Sequence, residues 1–190
     1  MPEALLISFG VIFVAELGDK SQLMALAFAT RYRPIPILIG ITIATAVVHA
    51  FSVLVGAAIG SALPTDAITF GAGIAFLGFA IWTLRGDSLD EKERARVARD
   101  DRTAVVAASA AFFLAELGDK TMLATITLAT TEGVFGTWLG STLGMVAADA
   151  LAIAVGAVLG ARLPEPAIRI GATVAFIVFG LVLIAEALTG

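Results

Sequence analysis

One hexapeptide occurs twice in this chain, and its residue types could do chemistry. Ala-Glu-Leu-Gly-Asp-Lys occupies residues 15–20 and again residues 115–120, each time inside a long apolar stretch. Charged side chains in a segment of membrane-spanning length are costly, because lipid cannot solvate them. Two copies at matching positions therefore predict a polar site at the centre of a membrane protein, with one half-site from each copy.

Oxygen atoms dominate the polar groups of these two motifs. On a continuous helix the Glu and Asp of each motif, three residues apart, would share one face, and a hydroxyl follows each lysine. Hard divalent cations prefer oxygen ligands of this kind. Gly18 and Gly118 would let a partner backbone approach closely, or let the helix open and lend its carbonyls. The candidate metal ligands are Glu16, Asp19, Glu116, Asp119, Ser21 and Thr121.

Five further polar residues are candidates for accessory or proton-relay roles. Lys20 and Lys120 either neutralise a nearby carboxylate and set the helix register or compete with the cation. Gln22 could donate an oxygen. His49 and Asp149 occupy the same position of the two halves near mid-span, where ionisable groups are functional candidates. They would relay protons, or Asp149 would add a ligand; the alternative is a hydrogen-bonded helix contact.

The composition identifies an integral membrane protein. Of 190 residues, 59% are hydrophobic and 15% charged, with a mean hydropathy of +0.98. A soluble domain is about 45–50% apolar and about 25% charged. The net charge of −4 gives no reason to expect nucleic acid as a partner. The chain has no cysteine and one histidine, which excludes disulfides, thiolate metal sites and a zinc-type cluster.

Internal duplication defines the predicted fold. Residues of the first half match residues 100 positions later, including Gly40 with Gly140 and Phe76 with Phe176. Each half has three apolar segments near the roughly 20 residues that a span requires. Because three is odd, the second half must enter the membrane from the opposite side. The predicted spans are 4–29, 36–62, 67–85, 104–130, 134–161 and 167–188.

We therefore predict an all-α integral membrane protein with six transmembrane helices, arranged as two inverted-topology three-helix repeats. The first repeat covers residues 1–85 and the second residues 103–190, and a charged linker, 86–102, joins them. Ten of the twelve Lys and Arg residues lie outside the motifs, on the three loops that this model puts on one side. The positive-inside rule makes that side cytoplasmic, with both termini outside the inner (plasma) membrane.

The twin Glu-x-Gly-Asp-Lys-Ser/Thr motifs, Glu16 to Ser21 and Glu116 to Thr121, resemble the signature of the Gdt-type cation–proton antiporters, a branch of the calcium–cation exchanger superfamily. The resemblance covers essentially the whole chain. It implies export of Mn²⁺ or Ca²⁺ from the cytosol in exchange for protons, and it favours Mn²⁺ as the exported ion. It also implies that Glu16, Asp19, Glu116 and Asp119 bind the ion, assisted by Ser21 and Thr121.

The expected partners are the lipid bilayer and the divalent cation as substrate, with protons as counter-ion and no resident cofactor. A homodimer stays open. Two rival functions also stay open at this point. One is a proton-coupled exporter of small solutes, and the other is an intramembrane enzyme that uses paired carboxylates on a lipid-linked substrate. A third reading is structural, in which the motifs form ion pairs that hold the first and fourth spans together.

Overall fold

The computed structural model describes residues 2–29, 32–85, 104–159 and 165–189, and the secondary structure of these residues is helical. The predicted linker 86–102 lies outside the described residues, as do Arg31 and Arg162. The helices are α1 (Pro2–Glu16), α2 (Lys20–Ala29), α3 (Pro34–Ala62), α4 (Thr65–Arg85), α5 (Ala104–Glu116), α6 (Lys120–Thr131), α7 (Val134–Leu159) and α8 (Glu165–Thr189).

Four helices carry stretches long and apolar enough to cross a membrane: Pro34–Ala62, Thr65–Arg85, Val134–Val155 and Ile170–Thr189. The surface of α3 indicates that this helix faces lipid. Most of its exposed side chains are apolar, whereas three polar side chains lie on its buried face. The exposed set includes Ile35, Ile39, Ile43, Val47 and Phe51, and the buried polar set is Thr45, His49 and Ser52. This inside-out pattern and the helical content confirm the prediction of an all-helical membrane protein.

The first and fourth predicted spans are each broken at the motif. Helix α1 ends at Glu16 and α2 begins at Lys20, while α5 ends at Glu116 and α6 begins at Lys120. The expectation of a continuous helix, with Glu and Asp of each motif on one face, is therefore wrong. The glycine in each break explains the difference, because Gly18 has φ +77° and Gly118 has φ +79°, values that end a right-handed helix and that glycine adopts most readily.

The two halves pack against each other through corresponding contacts. Helix α1 packs on α7 as α5 packs on α3, and α2 packs on α7 as α6 packs on α3. Small residues permit this closeness. A Cβ added at Gly40 would lie 2.7 Å from the carbonyl oxygen of Val105, and one added at Gly140 would meet that of Leu5. Leu5 and Val105 are themselves equivalent positions, so the same helix packing occurs twice.

Neighbouring contacts also fix the relative direction of the helices. Gly140 approaches Leu5 and Gly144 approaches Phe9, so α1 and α7 run in the same direction. Helices α4 and α8 run in opposite directions, since Gly73 approaches Gly180 and Ile184, whereas Leu77, one turn further along α4, approaches Gly180.

Equivalent side chains meet at the centre of the bundle. Thr45 Oγ1 lies 3.1 Å from Met145 Sδ, and the ring centroids of Phe76 and Phe176 are 5.9 Å apart. Phe76 also stacks edge-on against Phe179 at 4.8 Å. Contacts between a residue and its own counterpart are expected only near a local two-fold axis. The motifs of the two halves are therefore placed around a shared centre.

Candidate functional site

The two helix breaks form matching turns. The Asp19 backbone N–H donates to the carbonyl of Glu16 at 3.0 Å, and Asp119 donates to Glu116 at 3.1 Å. Each turn puts its Glu at the end of one short helix and its Asp immediately before the next. Broken helices of this type expose backbone groups and helix ends inside a membrane protein, where transporters bind ions and polar substrates.

Two ion pairs cross between the halves, one of them fully buried. Lys120 Nζ lies 2.6 Å from Asp19 Oδ1, and Lys20 Nζ lies 3.0 Å from Asp119 Oδ1. Each lysine thus neutralises the aspartate of the other motif, whereas on one helix it would have faced the Glu of its own motif. Ion pairs of the kind that the structural reading predicts do connect the broken helices, and these two pairs engage the aspartates.

The motif glutamates are buried and only partly hydrogen-bonded. Neither oxygen of Glu16 accepts a hydrogen bond from a described residue. Glu116 Oε2 accepts one from Thr121 Oγ1 at 2.8 Å. Ser21, the counterpart of Thr121, has a buried Oγ without a partner among the described residues. Buried polar atoms are normally satisfied, so this group of oxygens is exceptional and indicates a site that binds something.

Gln22 forms hydrogen bonds both to the first motif (residues 15–20), here called motif one, and to α7. Its Oε1 accepts the Gly18 N–H at 2.8 Å, and its Nε2 donates to the carbonyl of Ala148 at 2.8 Å. At the matching position, Met122 Sδ receives the Gly118 N–H at 3.2 Å. The sequence singled out Gln22 for its oxygen, but the bridge through its nitrogen could not be found from one chain without the packing of α2 on α7.

His49 and Asp149, equivalent in sequence, have different neighbours. Both side chains are fully buried. His49 Nδ1 lies 3.5 Å from Thr142 Oγ1, which donates to the Trp138 carbonyl. Neither Asp149 oxygen has a hydrogen-bond partner among described residues, and its charge interacts with those of Glu16 and Glu116.

All four motif carboxylates and both lysines thus meet around one buried region. Within the described part of the chain, however, no three acidic or imidazole side chains stand close enough to hold a metal ion together. The aspartates face lysine ammonium groups instead. A cation that used these aspartates would have to exchange with the lysines.

Apolar helices surround the two broken motifs and their buried carboxylates, an arrangement typical of membrane transporters of ions. The family model described as the divalent cation/proton antiporter GDT1 matches residues 4–91 and again residues 104–190. The chain belongs to this family, so it is a transporter and not an enzyme. The resemblance seen in the motifs is confirmed, and the enzyme and small-solute alternatives are set aside.

Relatives from bacteria and plants share most of this chain. A Vibrio cholerae protein provisionally named a manganese exporter is 37% identical over 168 residues, covering 87% of this chain and 82% of the relative. A GDT1-like protein of Synechocystis is 29% identical over 190 residues, covering 90% and 92%. The Arabidopsis thaliana chloroplastic protein PAM71 is 31% identical over 211 residues, covering 96% of this chain and 56% of the relative. No solved structure matches the chain.

Proposed function

We propose that this protein exports divalent cations from the cytosol, Mn²⁺ in preference to Ca²⁺, in exchange for protons that enter from outside. The observation that carries the proposal is the crossed arrangement of two broken motifs, each supplying a buried Glu and Asp to one region. The proposed ligands are Glu16, Asp19, Glu116, Asp119, Ser21 and Thr121.

We assign six spans, with α1–α2 as the first, α5–α6 as the fourth, and two inverted repeats. The parallel α1 and α7 and the antiparallel α4 and α8 support this, because inversion of one three-span half requires both relations. The proposed location is the plasma membrane, with the basic loops in the cytoplasm.

The lysines have a defined part in the proposed cycle. In the form described here, the ammonium groups of Lys20 and Lys120 compensate the aspartates. Entry of a divalent cation displaces them and brings the carboxylates around the ion. Protons arriving from outside neutralise the carboxylates, the cation leaves, and the lysines return. Rocking of one repeat on the other would expose the site to each side in turn.

Manganese is preferred on the strength of the Vibrio relative's name, since Mn²⁺ and Ca²⁺ both accept oxygen ligands. For localisation, the same bacterial relative favours a cell membrane over an organelle.

Flux measurements in proteoliposomes test the proposal. Purified protein is reconstituted, a pH gradient is imposed, and uptake of Mn²⁺ and Ca²⁺ is followed separately. Wild type should show proton-driven flux that is faster for Mn²⁺, and E16Q and E116Q should fall to the level of empty liposomes. D66N removes an exposed carboxylate on α4 and should retain wild-type flux. Flux that ignores the pH gradient, or survives in both Gln variants, would overturn the proposal.

A further inference from the structure

Asp149 is a buried carboxylate that belongs to neither motif. It lies in the middle part of α7, has no solvent exposure, and neither Oδ accepts a hydrogen bond from the described residues. An isolated carboxylate inside a membrane is costly and calls for a compensating ion or proton. The first half has His49 at the same position, so the carboxylate of Asp149 breaks the symmetry of the two halves.

Both motif glutamates lie within electrostatic range of Asp149. The charge of Asp149 acts on Glu16, at the end of α1, and on Glu116, at the end of α5. Three buried acidic groups from three different helices are therefore electrostatically linked, although in the described part of the chain they do not stand close enough to hold a metal ion together. Their mutual repulsion is relieved when a cation enters among them.

A hydrogen-bonded bridge fixes α7 against motif one beside this carboxylate. Gln22 accepts from the Gly18 N–H and donates to the carbonyl of Ala148, the residue before Asp149, both at 2.8 Å. The counterpart Met122 has a thioether, which accepts weakly and cannot donate, so it cannot form the same bridge. Gln22, which breaks the symmetry of α2 and α6, thus contacts the residue that precedes Asp149, and Asp149 breaks the symmetry of α3 and α7.

We propose that Asp149 is a fifth carboxylate of the cation site and that it makes the site selective for divalent over monovalent cations. This inference rests on the proposed function. The crossed ion pairs already compensate Asp19 and Asp119. Until the cation displaces the lysines, Glu16, Glu116 and Asp149 supply the charge that attracts it, and three ionised carboxylates attract a divalent ion much more strongly than a monovalent one.

Mn²⁺ binding by the full-length protein in nanodiscs, measured by titration calorimetry with and without excess Na⁺, tests the role of Asp149. The dissociation constant of D149N should rise about tenfold or more, as expected when metal coordination is disturbed. Na⁺ should compete more effectively in D149N than in wild type. D66N, which removes an exposed carboxylate, should bind Mn²⁺ like wild type in both conditions.

A second variant keeps the test decisive if D149N does not fold. D149E keeps the charge but moves the carboxylate by one methylene, so the ratio of Mn²⁺ to Ca²⁺ affinity should change. Wild-type affinity and selectivity in D149N or D149E, with binding lost in E16Q, would overturn this inference and leave the proposed function intact. Absence of Mn²⁺ and Ca²⁺ binding in wild type would overturn both.

Discussion

Lys20 and Lys120 occupy equivalent positions but have different surroundings. The Lys120 side chain is 3% exposed and its ammonium lies 2.6 Å from Asp19, whereas the Lys20 side chain is 20% exposed and lies 3.0 Å from Asp119. Water therefore reaches one crossed ion pair more easily than the other. Opening of the site should begin at the Lys20–Asp119 pair, because water reaches Lys20 and can solvate its ammonium as the pair separates.

Removal of each lysine should reveal this difference. K120M leaves the Asp19 carboxylate buried without its ammonium, and breaking a buried pair in this way costs about 3–5 kcal/mol. K20M should cost less, because water replaces part of the lost interaction at the more exposed pair. The apparent unfolding temperature in detergent, followed by tryptophan fluorescence, should therefore fall further for K120M than for K20M.

The double variant D19N/K120M is the control, since it removes both charges of the buried pair. It should recover much of the stability that K120M loses. Equal losses of stability in K20M and K120M, or no recovery in the double variant, would contradict the inference that the two ion pairs contribute unequally to stability.

At the scale of elements, the helix breaks decide how the motifs are presented. Gly118 has φ +79°, and a Cβ added there would meet no atom within 4 Å. Glycine is therefore required here by the backbone conformation, and not because a larger side chain would clash with its surroundings. The break directs Asp119 and Lys120 toward the other half, where a continuous helix would have kept them beside Glu116.

Substitution of this glycine should be destabilising for a purely conformational reason. G118A should cost about 1–2 kcal/mol, the penalty of the left-handed region for an L-residue, and should lower the apparent unfolding temperature. G118N should cost less, because asparagine tolerates that region better. Gly78 offers a matched control, since it is helical in α4 and an added Cβ would also meet nothing. G78A should be neutral or slightly stabilising, and equal effects of G118A and G78A would rule out the conformational explanation.

Particular residues show how far the sequence predicts this arrangement. The duplicated Glu and Asp residues predict buried carboxylates around one centre, since charge inside an apolar stretch has few other uses. The partner of Lys120 was not predictable, because the spacing favours Glu116, four residues away, and Asp19 becomes its neighbour only through helix packing. The glycine at position 18 made a broken helix one of two possibilities. The sequence could not decide between them, because the positive φ that breaks the helix is a property of the folded backbone.

For the whole molecule, the distribution of charge distinguishes the two ends. Burial raises the pKa of Glu132, at the turn after α6, and the carboxylates of Glu3 and Glu186 raise it further. The start of α1, the end of α6 and the last turns of α8 therefore lie at one acidic end. Arg85 ends α4 and Arg33 precedes α3, positions that the six-span arrangement assigns to the opposite end.

The orientation of these ends in the membrane can be tested directly, because the chain contains no cysteine. Thr65, at the exposed start of α4, should face outside with the acidic end, and Arg85, at its exposed end, should face the cytoplasm. A membrane-impermeant maleimide should label T65C in intact cells and label R85C only after permeabilisation. The reverse pattern would place the basic loops outside, and the proposed direction of transport would then have to be inverted. Labelling of both variants in intact cells would mean that α4 does not cross the membrane, which would contradict the six-span arrangement itself.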